Sequence, residues 1–204
     1  MLLAHIVPGY FAGYYSKPYW QSNWNKQQYN ALWLTAIGST IAPDADVIYN
    51  IIGRGFANHS LLWTHSIFVH GGIGLAWYGL YRIKRWPFVQ MLVGLIALGG
   101  LSHLLLDVIS HGTPLFYPFS LLVFGWPPQR VVEGGLWAYL TDPIFLFEPF
   151  LLGTAVIHWV WHNVALKQVR ALSITVIIGF LMLFIAGYLY SLPSLQNMAS
   201  RLIK

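Results

Sequence analysis

The sequence predicts an all-α integral membrane bundle of about five or six helices, some of them short or half-spanning. Three observations lead there. Hydrophobic residues make up 57% of the chain and charged residues 8%, against about 25% charged in a soluble domain. With 11 Lys and Arg and 6 Asp and Glu over 204 residues, most of the surface must face something apolar. Trp numbers 10 and Tyr 12, and both collect at membrane interfaces because their rings are part apolar and part polar. Apolar runs also recur at close to spanning length, which is about 20 residues for about 30 Å of hydrocarbon.

The segments follow in chain order. Ile6 to Tyr15 is apolar but short, and carries Pro8, Gly9 and Gly13. Lys17 to Gln28 is rich in Asn and Gln and reads as a loop. Asn30 to Ala42 is a second short apolar stretch, stopped by Pro43, since a proline disfavours helical geometry in the residue before it. Ser60 to Tyr81 and Phe88 to Ile109 are candidate spans, the first closed by Arg82, Lys84 and Arg85. Gly112 to Asp142 reads as a long loop holding Pro114, Pro118, Pro127 and Pro128; loops longer than about 15 residues are often functional. Pro143 to Ala165 and Ala171 to Tyr190 complete the candidate spans, and the last has no internal charge. No internal repeat separates these pieces, so residues 1–204 read as one membrane-embedded domain.

Several classes are excluded. The net charge of +5 reflects scarce acid rather than a basic patch, and no run of Lys and Arg interleaves with aromatics as nucleic-acid binding requires. Attraction to anionic headgroups accounts for the bias. The absence of Cys rules out disulfides and thiolate metal sites. No cleavable signal peptide is expected, because no basic n-region precedes an apolar run with a small-residue cleavage site. Gly71-Gly72-Ile73-Gly74 lies within a span and lacks the strand-before-helix context of a nucleotide loop; small-residue helix packing is its expected role. Ser60 and Ser66 lack the Gly-x-Ser-x-Gly elbow of a hydrolase nucleophile.

Lys17, Lys26, Arg82, Lys84, Arg85, Lys167 and Arg170 fall on one side if the spans alternate. By the positive-inside rule that side is cytoplasmic, with Arg54, Arg130, Arg201 and Lys204 falling on the outer side. The opposite face, periplasmic in a bacterial inner membrane, then receives Asp44, Asp46, His65, His103, Asp107 and the 112–142 loop.

Ionisable groups inside an apolar bundle are costly and mark function by default. Pro43-Asp44-Ala45-Asp46 sets two carboxylates in one turn, able to face a cation or to cap a helix. His59, His65 and His70 lie within twelve positions. His103, Asp107 and His111 are spaced by four, and at about 100° per residue they share one helical stripe. That ladder reads either as metal ligands or as a hydrogen-bonded seam between helices. A buried carboxylate needs a cation or several donors, and His with Asp suits zinc, manganese or iron. His158 and His162 are also four apart, but Trp159 and Trp161 flank them and place them at an interface, toward the cytoplasmic end.

In this order the motifs resemble the YdjM-like membrane-bound metal-dependent hydrolases. The elements are His5, Pro43 to Asp46, His59 with Thr64-His65-Ser66, His103 to Asp107, and Gly-x-Pro-Leu-Phe-x-Pro-Phe at Gly112 to Phe119. The resemblance covers residues 1–120, and Ser60 follows His59 where the family pattern carries Arg. The family is in turn similar to zinc-dependent phospholipase C. The resemblance implies a divalent-metal centre of one to three ions, zinc first and manganese or iron as alternatives. Its ligands would be His5, Asp44, Asp46, His59, His65, His103 and Asp107, with His111 as a further candidate.

The expected activity is hydrolysis of a phosphoester in a lipid or lipid-linked substrate by metal-activated water, with Asp44 or Asp46 as general base. Glu133, Asp142 and Glu148 are candidates for supporting roles on the same side. The alternative is a carrier or sensor of metal or protons without chemistry, which would string polar groups through the bilayer. A third possibility is a polar seam that only packs helices.

Overall fold

Capping residues and prolines set the helix boundaries. The computed structural model describes residues 4–45, 62–110, 112–125, 147–164 and 167–190. Among them are six α-helices and no strand: α1 (Ile6–Asn23), α2 (Lys26–Ile41), α3 (Ile67–Ile83), α4 (Pro87–Ser110), α5 (Phe147–Asn163) and α6 (Lys167–Tyr190). The all-α membrane bundle expected from composition is the observed class.

The segment from Lys17 to Gln28 is not a loop. α1 continues through Pro18 to Asn23, and α2 begins at Lys26. The Asn and Gln residues that suggested a loop instead close one helix and cap the next. Asn23 donates to the Tyr19 carbonyl (2.8 Å). The Asn25 side chain accepts from the Gln28 N–H (2.9 Å), and Gln28 accepts from the Asn25 N–H (3.2 Å). This reciprocal capping box satisfies two backbone donors at once.

α2 ends at Ile41, and Pro43 sits in a 3-10 turn, Ala42–Asp44. A second 3-10 turn, Leu62–His65, precedes α3, so this helix starts later than the apolar run from Ser60 suggested. Ser66 caps it by accepting from the Phe68 N–H (3.2 Å), and Lys84 ends it in the left-handed conformation, φ 55°.

α4 spans 24 residues, about 36 Å at 1.5 Å per residue, and is the one described helix long and apolar enough to cross a membrane. α3 and α5 have 17 residues each, about 26 Å. The apolar part of α6 is Val169–Leu183. α6, Lys167–Tyr190, contains the expected span Ala171–Tyr190 whole.

α4 packs between α2 and α3, α1 lies on α2, and α5 pairs with α6 and touches α1. Close approach depends on particular glycines. A Cβ on Gly9 would collide with the Ala36 carbonyl, and one on Gly99 with Ser39. The expected packing role of Gly71, Gly72 and Gly74 does not hold: a Cβ at any of them meets nothing within 4 Å among the described residues. An apolar core of Trp20, Leu32, Ala36 and Leu95, flanked by Trp33 and Phe88, fills the space between α1, α2 and α4. It lies toward one end of these helices and leaves the other end to polar residues.

Candidate metal centre

Four chain segments meet at that polar end. His5 immediately precedes α1, Asp44 ends the first 3-10 turn, and His65 ends the second. His103 and Asp107 lie one turn apart near the end of α4. All five side chains are buried, His5, His103 and Asp107 at 0% exposure.

The imidazoles converge on the two carboxylates. His5 Nε2 is 3.2 Å from Asp107 Oδ1 and 3.8 Å from Asp44 Oδ2. His65 Nε2 is 3.5 Å from both Asp44 Oδ1 and Asp107 Oδ2. His103 Nε2 is 3.4 Å from Asp44 Oδ1 and 3.2 Å from Asp107 Oδ2. The Nε2 atoms of His65 and His103 are 3.4 Å apart, and the rings of His5 and His103 stack at 3.9 Å. Each carboxylate thus turns one oxygen toward His5 and the other toward His65 and His103.

Hydrogen bonds behind the imidazoles fix which nitrogen faces inward. His103 Nδ1 lies 2.8 Å from the Thr40 carbonyl. A carbonyl only accepts, so Nδ1 carries the proton, and a neutral His103 turns the Nε2 lone pair to the cluster. His65 Nδ1 pairs with the Thr64 hydroxyl (2.9 Å). His70 donates from Nε2 to the Thr64 carbonyl (2.8 Å), which steadies the turn carrying His65. The His70 ring fits only because α4 has glycine at 100, where a Cβ would collide with it.

This donor set fits a divalent ion. Metal–nitrogen and metal–oxygen bonds of about 2.1 Å imply ligand–ligand edges of about 3.4 Å in a tetrahedron and 3.0 Å in an octahedron. The closest nitrogen–oxygen separations here run from 3.2 to 3.5 Å. His5, His103 and Asp107 form one group able to hold an ion, and Asp44, His65 and His103 another. Imidazole and carboxylate are borderline and hard ligands, shared by zinc, manganese and iron.

The structure therefore brings together His5, Asp44, His65, His103 and Asp107 of the residues singled out by sequence. Asp46, His59 and His111 lie outside the described residues, as do Glu133 and Asp142. Glu148 is buried near the start of α5 and accepts from the Ala4 N–H (3.2 Å), beside His5. His158 and His162 do not join the cluster. His158 is ten residues along α5 from Glu148, about 15 Å, and its Nδ1 pairs with the Tyr10 hydroxyl (3.1 Å). Ser66 is occupied as a cap and as a donor to the Tyr117 carbonyl (2.6 Å). The sequence reading missed Thr40, Thr64 and Gly100. Thr40 acts through a backbone carbonyl and leaves no residue-type signal, whereas Thr64 adjoins His65 within Thr-His-Ser.

A family model described as YdjM inner membrane protein matches residues 1–192. No curated protein and no solved structure matches the chain.

Proposed function

The chain belongs to the YdjM inner membrane protein family, and from that premise we propose that it is a membrane-bound metal-dependent hydrolase of phosphoesters, acting on a lipid or lipid-linked substrate. The observation that carries this reading is the buried cage in which three imidazole Nε2 atoms face two carboxylates. His5, Asp44, His65, His103 and Asp107 would hold the metal, zinc ahead of manganese or iron. When bound, such an ion supplies Lewis acidity toward phosphoryl oxygens and water acidified toward neutrality.

The protein's own groups do the rest. The Thr40 carbonyl holds His103 in the tautomer that points Nε2 inward. Asp44 and Asp107 each present two oxygens in different directions, which suits ligation or bridging. Asp46, two residues beyond Asp44, is the carboxylate proposed to take the proton as general base.

The distribution of charge supports a site on the outer face. Lys17, Lys26, Arg82, Lys84, Arg85, Lys167 and Arg170 all lie toward the far ends of their helices or turns from the cluster. By the positive-inside rule those ends face the cytoplasm.

Elemental analysis of the detergent-purified protein beside His103→Ala tests the metal. One or more ions per chain, lost in the variant, is the expected result. Phosphoester turnover should then vanish in Asp107→Asn while the variant still inserts and purifies. Undiminished turnover in Asp107→Asn would refute the assignment. The second reading is a metal or proton carrier. It needs a polar path between both faces, whereas the five ligand residues form one compact group at one end.

A further inference from the structure

The segment after α4 is unusual for a loop that borders a polar site. Gly112 to Gly125 contains no charged side chain. Phe119 is 82% exposed and Leu121 70%, with Leu122 and Phe116 also exposed. The apolar patch continues onto α3, where exposed Phe68 meets Phe119 edge to face at 5.2 Å. Leu98, Leu101 and Leu105 are likewise exposed on α4, the helix suited to cross a membrane, against which α3 packs.

Most of the loop's backbone donors are also paired within the protein. Thr113 and Phe124 exchange both hydrogen bonds at 2.8 Å. Tyr117 donates to Pro114, while Phe119 and Ser120 donate to Phe116, at 2.9 to 3.0 Å. Leu122 donates to the Ser120 hydroxyl (3.1 Å), and Pro114 and Pro118 have no N–H to satisfy. A loop in water has no need of this, because water serves its donors. A loop against lipid does need it, since unsatisfied backbone groups are costly there.

The loop is tied to the cage at two points. Gly112 N–H donates to the Asp107 carbonyl (2.8 Å), and Ile67 N–H donates to the Leu115 carbonyl (2.9 Å) directly after His65 and Ser66. Asp107 is three residues from the end of α4, about 4.5 Å along its axis. The cage and the loop therefore lie together at one end of α4, the helix suited to cross a membrane.

We infer that the Gly112–Gly125 loop rests in the lipid at the mouth of the metal centre, with Phe119, Leu121 and Leu122 among the acyl chains, so that a membrane-embedded substrate reaches the cage from the bilayer side. The substrate half rests on the phosphoester reading; the lipid contact does not. The occupant assigned to the patch is lipid because the patch carries no charge and is tied to the end of α4, the one described helix long and apolar enough to cross a membrane. An interfacial segment of this kind buries its apolar face about 5–10 Å into the headgroup and acyl boundary.

The chain has no Cys, so single spin labels can be placed without background. Phe119→Cys and Leu121→Cys are labelled and reconstituted in phosphatidylglycerol and phosphatidylethanolamine vesicles. Arg85→Cys, in the turn between α3 and α4, is the aqueous reference. Power saturation then compares collisions with oxygen, which partitions into lipid, and with a water-soluble nickel chelate. The expected result is a several-fold higher oxygen-to-nickel ratio at 119 and 121 than at 85. Nickel access equal to that at 85 would overturn the inference. So would exclusion of both reagents with dipolar broadening between labels, which would put a second copy on the patch.

Neither outcome depends on turnover, so failure of the lipid contact and failure of the phosphoester reading are told apart. The substrate half is tested with Phe119→Glu, which should lower hydrolysis of a vesicle-embedded phospholipid several-fold. It should leave hydrolysis of a soluble aryl phosphate and the metal content unchanged. Equal loss on both substrates would overturn the bilayer route.

Discussion

Among the described residues, the two ends of the bundle carry opposite charge. At one end lie all three described acidic residues, Asp44, Asp107 and Glu148, all of them buried. Toward the other lie all seven described Lys and Arg residues, and those at 17, 26, 82, 84 and 85 are exposed. Imidazoles occur at both ends in helical i, i+4 geometry: His103 with Asp107 at the first, His158 with His162 at the second. The difference teaches which polar residues in an apolar helix imply a ligand. At the acidic end, imidazoles and carboxylates from separate segments face one another inside a buried cage. At the basic end, a histidine pair meets a tyrosine hydroxyl and open, aromatic-lined space.

The sharpest break of this comparison is Asp107→Asn. It removes one charge and replaces an acceptor oxygen with an amide donor, where Asp107 faces His5, His65 and His103 at once. The expected loss of metal affinity exceeds the roughly 10–100-fold typical of outer-shell changes. Stability should follow, because a ligand present at 100 times its Kd stabilises the folded state by about 2.7 kcal/mol. A chelator should therefore lower the melting temperature of the wild type and leave that of Asp107→Asn unchanged. Equal chelator shifts in both proteins would separate the cage from metal binding.

A smaller effect is expected at His70, which lies outside the cage but fixes the turn that carries His65. His70→Ala removes the donor to the Thr64 carbonyl and leaves a gap against Gly100. Metal affinity should fall about 10–100-fold, measured by competitive titration against a zinc indicator. His70→Gln keeps an N–H donor and should recover part of the loss. If alanine and glutamine variants both bind metal as tightly as the wild type, His70 has no positioning role.

Much of the site was legible because its chemistry needs rare residue types. In a chain with 6 acidic residues and 8 His, His5, Asp44, His65, His103 and Asp107 stand out, and motif order joined them before any distance was known. The class of fold was legible for a similar reason, since too few charges exist to face water. Helix ends were less so. Lys17 to Gln28 looked like a loop because Asn and Gln favour both turns and caps, and only the Asn25–Gln28 exchange decides between them. Glycine roles were misplaced because a glycine signals close approach only if a neighbouring helix arrives there. Gly9, Gly99 and Gly100 meet one, and Gly71, Gly72 and Gly74 meet none among the described residues. The Thr40 carbonyl behind His103 could not be read at all, being a backbone atom.

The smallest effect belongs to the basic end. His158 and His162 line an open cavity of about 330 Å³ with Phe11, Thr154, Ile157 and Trp161. His158 pairs with the Tyr10 hydroxyl, and its ring meets Tyr14 edge to face at 4.3 Å. Among the described residues no carboxylate lies in this lining to add an anionic ligand to the two imidazoles. The double variant His158→Ala with His162→Ala should keep the wild-type metal content and turnover. Its stability should fall by about 0.5–1.5 kcal/mol for the lost hydrogen bond, plus a small packing loss where the rings met α1. If that variant instead lost metal in proportion, the ion would be shared along the bundle, and a path between the two ends would displace a single compact centre.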